Sequence, residues 1–176
     1  MFSDQCSAQG CTLTHLEYHS ARQRAAQIYR LRELHREAVA HARVVRHGTA
    51  SDGAFEPVPR TASAVLAGDF NFKPEEPDHA RLLAAMEPAT LTYCDAWALA
   101  HHGRPHEPTV GLHDKEQWPG PPFTSDFVWV SADAAGRVRD VRVDESTDAS
   151  DHQPLLLELA WDQASSFSPW KPNSNC

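Results

Sequence analysis

The sequence predicts an α/β layered domain whose short strands carry polar residues to one edge of a sheet. Three observations predict it. A long amphipathic segment spans residues 20–42. Short apolar runs at 64–67 and 127–130 border on Asp69 and Asp126. The chain then closes on alternating segments at 136–144 and 154–161. Strand, helix, strand, helix and a strand-rich ending fit helices layered on a sheet, not a bundle or a barrel.

Residues 1–10 are polar and aperiodic and read as a disordered leader. "CTLTH" reads as a short strand ending at His15, with Thr12 and Thr14 on one face and Leu13 on the other. "SARQRAAQIYRLRELHREAVAHA" is the clearest helix. Ser20 and Gln23 have capping-box spacing, and Ile28, Leu31 and Leu34 recur at helical intervals. Its arginines, Arg22, Arg24, Arg30, Arg32 and Arg36, read as a solvated face. Residues 46–62 form an irregular loop.

"SAVLAGDFN" follows as a strand buried on both faces, broken by Gly68 and ending in Asp69 and Asn71. "HARLLAAMEP" is a second helix stopped at Pro88, and "TYCDAWALAHH" fits a helix or a strand end equally. Residues 101–122 read as loop. "TSDFVWVSA" is a strand, with "GRVRDVRVD" its antiparallel neighbour across an Asp-Ala-Ala-Gly turn. "PLLLELAW" is the last strand, with Leu155, Leu157, Leu159 and Trp161 on one face. Residues 162–176 read as a disordered tail, leaving 11–161 as the domain.

Composition narrows the function classes. The chain has 176 residues, 41% hydrophobic and 23% charged, enough for one domain with a core. A net charge of −8 gives no basic footprint for nucleic acid, so that substrate class is not favoured. No stretch reaches the ~20 apolar residues of a membrane span. Cys6, Cys11, Cys94 and Cys176 form no CxxC pair and no apolar leader is evident, so free thiols in a cytoplasmic protein are expected.

The polar residues at strand ends form a set: His15, Asp69, Asn71, Asp126, Asp151 and His152. Singly each has an ordinary reading, as a turn former, a cap or a half-buried histidine. Jointly they suit metal-assisted chemistry on phosphate. Carboxylates hold a hard cation, imidazole and amide donate to phosphate oxygens, and a further carboxylate holds a water for in-line attack.

In this order "THLE", "AGDFN", "DAW", "PTVGL", "SDFVWVS" and "SDHQPLLLEL" resemble the endonuclease/exonuclease/phosphatase superfamily, the DNase I-like phosphoesterases. The resemblance covers about residues 11–161. It implies a four-layer sandwich, here incomplete, and hydrolysis of a phosphomonoester or phosphodiester with Mg²⁺ or Mn²⁺. It also implies a role for each residue. His15 contacts the scissile phosphate. Asp69 orients or deprotonates the attacking water, and Asn71 binds phosphate and places Asp69. Asp151 lies at the metal. His152 stabilises developing charge, and Asp126 holds its other ring nitrogen.

The family's early half, with its asparagine and metal-anchoring glutamate, has no counterpart here. Glu17 is not taken as a substitute. A truncated fragment is therefore expected, with an apolar sheet face open to a partner. The alternative is a catalytically inactive fragment or interaction module that keeps the motifs. A transition-metal site among His101, His102, His106, His113 and Asp114 is set aside in favour of a polar loop. Trp118 and Phe123 are expected to touch a base, a lipid or each other.

Overall fold

The computed structural model describes residues 10–46 and 61–160. Residues 1–9 of the expected leader, most of the 46–62 loop, Trp161 and the tail lie outside the described residues, while Gly10, placed in that leader, opens the first strand. The order is β1 (Gly10–His15), α1 (Ala21–Arg46), β2 (Ala64–Asp69), α2 (Pro77–Leu83), β3 (Tyr93–Asp95), α3 (Ala96–His101), β4 (Asp126–Ser131), β5 (Val138–Val143) and β6 (Leu155–Leu159). Four strands form one sheet in the order β1-β2-β4-β3, and β5 and β6 form a second. β1 runs parallel to β2, and the other neighbours are antiparallel.

The Ser20 hydroxyl accepts the Gln23 amide at 3.3 Å, so the expected N-cap starts α1. Its buried face runs through Arg24, Ile28, His35, Val39 and Ala42, while Leu34 is exposed. The solvated-arginine reading holds for Arg30, which pairs with Glu33 and Glu37. It fails for two others. Arg24 is buried against Asp78 at 2.7 Å, and Arg32 donates to the carbonyls of Ala84 and Ala85 at 2.8 and 3.0 Å. Both tie α1 to the α2 region.

Leu66, Phe127, Trp129 and Tyr93 pack with Ile28 of α1 and Leu82 of α2. Val65, Val128, Val130 and Cys94 pack with Trp97 of α3 and with Val141, Leu155, Leu157 and Leu159 of the small sheet. The main sheet thus carries cover on both faces. The expected bare face reduces to β1, where Leu13 is 79% exposed. The ambiguous segment 92–102 is strand and helix in succession. Asp95 ends β3 and caps α3, its Oδ1 accepting the amides of Trp97 and Ala98. β5 pairs with β6 and not with β4, because the 132–137 turn carries it away from the main sheet. Leu155, Leu157 and Leu159 share the half-buried face of β6. Cys94 is disulfide-bonded, which corrects the expectation of free thiols throughout. Among the described residues no helix is long and apolar enough to cross a membrane.

Candidate active site

Backbone register sets the spacing of the site. His15, Asp69 and Asp126 are paired residues on β1, β2 and β4, so they form one row at the sheet's end. Their side chains therefore lie on the same face, one strand apart. Gly68 makes the close approach. It has φ +138°, and a Cβ there would sit 1.9 Å from the Thr14 carbonyl oxygen. Beyond β2, Asn71 adopts φ 53°, a conformation asparagine tolerates better than most residues. Its side-chain amide donates to the Leu16 carbonyl at 2.7 Å.

Asp69 is fixed by one oxygen and open at the other. Oδ1 accepts the Ser125 hydroxyl at 2.6 Å and the Asn71 amide at 2.9 Å. Oδ2 lies 3.5 Å from His15 Nε2 and 4.0 Å from His152 Nε2. The His15 side chain is 75% exposed, free to meet a ligand.

His152 does not open β6, which begins three residues later. It forms an isolated bridge with Val110, flanked by hydrogen bonds from Gly111 N to the Asp151 carbonyl and from Gln153 N to the Thr109 carbonyl. Its Nδ1 lies 2.9 Å from Asp126 Oδ2, which also accepts the Thr109 hydroxyl at 2.7 Å. The Asp126 hydrogen bond, against the opposing effect of burial, raises the His152 pKa above its ordinary 6.5. Nε2 is left facing Asp69.

Asp151 points elsewhere. Its Oδ2 accepts the Trp118 indole N–H and the Gln117 amide, both at 3.1 Å. The Trp118 hydrogen bond lowers its pKa from the ordinary 3.8. Trp118 and Phe123 touch each other edge to face, 5.3 Å between ring centres. These groups line a cleft of about 820 Å³ with Tyr18, His19 and Lys73.

The structure thus brings His15, Asp69, Asn71, Asp151 and His152 to one cleft, with Asp126 behind His152. Sequence reasoning missed Thr109, Ser125 and Gln117, and the bond from Trp118 to Asp151. Thr109 lies in "PTVGL", and Ser125 precedes the strand-opening Asp126, so both were in view as motif letters without a role. Among the described residues no three His, Cys, Asp or Glu side chains gather their ligand atoms in this cleft. Asp151 is the residue that would hold a divalent cation. Its Oδ1 lies 3.5 Å from the Ser150 hydroxyl. A hard cation bound by one or two carboxylates, waters and a substrate phosphate fits that donor set, whereas an all-protein cage does not.

No family model and no curated protein matches the sequence. Solved structures do match the fold. One is a functionally unknown conserved protein from Enterococcus faecalis, at TM-score 0.56 and 22% identity over 86% of this chain and 50% of that one. A second is the 3'-5' exonuclease NExo from Neisseria meningitidis, at 0.54 and 19% over 86% and 61%. A third is an endonuclease/exonuclease/phosphatase family protein from Bacteroides thetaiotaomicron, at 0.52 and 17% over 85% and 49%. The chain spans about half the length of the first and third of these structures. Over that span it has the α/β fold of the endonuclease/exonuclease/phosphatase, DNase I-like proteins.

Proposed function

We propose that this chain is the phosphate-binding and water-orienting part of a phosphoesterase that hydrolyses a phosphomonoester or phosphodiester with Mg²⁺ or Mn²⁺. The observation that carries the reading is the hydrogen-bonded set Thr109–Asp126–His152, whose free Nε2 faces, at 4.0 Å, the open Oδ2 of Asp69, while Ser125 holds the other oxygen of that carboxylate. Asp69 Oδ2 receives the proton of the attacking water, while Ser125 and Asn71 hold Oδ1 and so fix the direction of Oδ2. Imidazolium at His152, favoured by Asp126, donates from Nε2 to a phosphate oxygen as negative charge builds. His15 donates to the same phosphate from the opposite side of Asp69. Asn71 acts through position, since its side-chain amide is engaged by Leu16. A cation held at Asp151 would neutralise phosphate charge and lower the pKa of a bound water. An anionic ester of small to medium size suits the cleft, and the net charge of −8 favours it over a long nucleic-acid backbone.

The test is hydrolysis of bis(p-nitrophenyl) phosphate and p-nitrophenyl phosphate with Mg²⁺ or Mn²⁺. Turnover should vanish with chelator and fall by about 10²–10⁴-fold in His152→Ala. Hydrolysis indifferent to both would overturn the reading. A second reading, a binding module without turnover, is favoured by the small carboxylate set of the cleft. Phosphate-ester binding without turnover at saturating Mg²⁺ would select it, and turnover regained on adding the other half of a related fold in trans would reject it.

A further inference from the structure

We infer that His79, Asp95 and His106 form a metal site of the Zn²⁺ type, separate from the cleft. The three residues come from α2, the β3–α3 junction and the 102–109 loop. Both Nε2 atoms converge on one oxygen. His79 lies 2.9 Å and His106 2.8 Å from Asp95 Oδ2, and the three ligand atoms all lie within 4.8 Å of one another. Two imidazoles and one carboxylate are a donor set that suits Zn²⁺ and not Mg²⁺. Ligand bonds of about 2.0–2.2 Å need only a small outward movement of each group from these positions.

The surroundings also suit a cation. Asp95 is 4% exposed, and among the described residues no lysine or arginine pairs with it. Its carboxylate is met by two α3 amides on Oδ1 and two imidazoles on Oδ2, so a dication between the imidazoles and Oδ2 would take over the imidazole hydrogen bonds and meet the charge directly. Both imidazoles are held by aromatic walls. His79 packs on Phe72, Phe127 and Trp129, and His106 stacks on Trp97 with Phe127 at its edge. Their Nε2 atoms are thereby aimed before any metal arrives. Asp95 Oδ1 is occupied by the α3 amides, which orients Oδ2 toward the pair. A cavity of about 10 Å³, at the lower bound for one water, touches Asp95 and His106 and is not lined by His79. The Trp129 indole N–H is fully buried and unpartnered among the described residues, and its ring centre lies 5.0 Å from that of His79. Metal binding takes both Nε2 lone pairs, so each ring proton moves to Nδ1. The ion would pin three segments to the sheet beside Asp126, away from the His101 and His113 rings, which bond to the carbonyls of Val141 and Glu145.

The test uses the full 176-residue chain, stripped with chelator and titrated with Co²⁺ and then Zn²⁺ in excess Mg²⁺. One equivalent of Co²⁺ should give the strong visible absorption of a tetrahedral ion, and Zn²⁺ should displace it and raise the melting temperature. Both effects should be lost in His79→Gln and in His106→Gln and kept in His113→Gln. Histidine-ring ¹⁵N spectra of the unmutated chain guard against variants that fail to fold, since two rings should move to metal-bound Nε2 positions at one equivalent. No tetrahedral absorption, no ring movement, uptake that survives both His→Gln changes, or uptake lost in His113→Gln would each overturn the site.

Discussion

Replacing Thr109 by valine tests the frame behind the cleft. Thr109 is 1% exposed, and its hydroxyl makes three contacts. It donates to Asp126 Oδ2 at 2.7 Å and accepts the amides of Ser125 and Asp126, each at 3.2 Å. Valine keeps the shape and removes the oxygen. A hydrogen bond to a carboxylate contributes roughly 1.5–3 kcal/mol, and each long amide bond roughly 0.5–1 kcal/mol. The added methyl returns about 0.8 kcal/mol. Thr109→Val should therefore lose about 2–4 kcal/mol. Thr109→Ser keeps the hydroxyl and should lose about 1 kcal/mol, the burial of one methyl. Urea unfolding at neutral pH, followed by fluorescence of the buried Trp97 and Trp129, reads both values. A valine variant within about 0.5 kcal/mol of the unmutated chain would refute the reasoning, as would a serine variant equally damaged.

Asp126→Asn removes the group that raises the His152 pKa. With a folded pKa above the unfolded 6.5, His152 stabilises the fold fully below that value and loses the contribution as pH rises through the folded pKa. The variant should move the alkaline limb of kcat/KM to lower pH, and NMR titration of His152 should show the same direction. Removing His152 itself should lower kcat by about 10²–10⁴-fold, read in the p-nitrophenyl assay. Gly68→Ala places a Cβ against the Thr14 carbonyl and should cost more than about 4 kcal/mol, seen as loss of cooperative unfolding. Trp118→Phe keeps the ring beside Phe123 but removes the indole N–H. The Asp151 carboxyl should then titrate closer to its ordinary 3.8, measured by ¹³C NMR.

The strands with continuous apolar runs were legible because burial on both faces leaves few polar letters, as in Ala64–Ala67 and Phe127–Val130. The helix start at Ser20 was legible from capping chemistry. The partner of β5 was not, because alternation fixes a strand's faces and says nothing about which neighbour it pairs with. Nor does alternation say whether a face is covered: Leu13, on an edge strand, is 79% exposed. In the cleft, charged residues at strand ends stood out. Thr109 and Ser125 did not, since a hydroxyl's value depends on a carboxylate distant in sequence. The His79–Asp95–His106 cluster was hidden in the same way. His106 was noticed among loop histidines, but its partners come from a helix and a strand end.

The row His15, Asp69 and Asp126 makes the main-chain ladder the measuring stick of the cleft. Adjacent strands stand about 4.8 Å apart whatever their side chains. The gap from one row member to the next is therefore inherited from peptide geometry and insensitive to drift in the surrounding loops. Sequence change can reshape the cleft mouth around Tyr18, Trp118 and Phe123 while the reacting groups keep their distances. The same rigidity makes the arrangement brittle to one kind of change. A single residue inserted between Ala64 and Asp69 would turn Asp69 to the opposite face of the sheet and abolish the row at once.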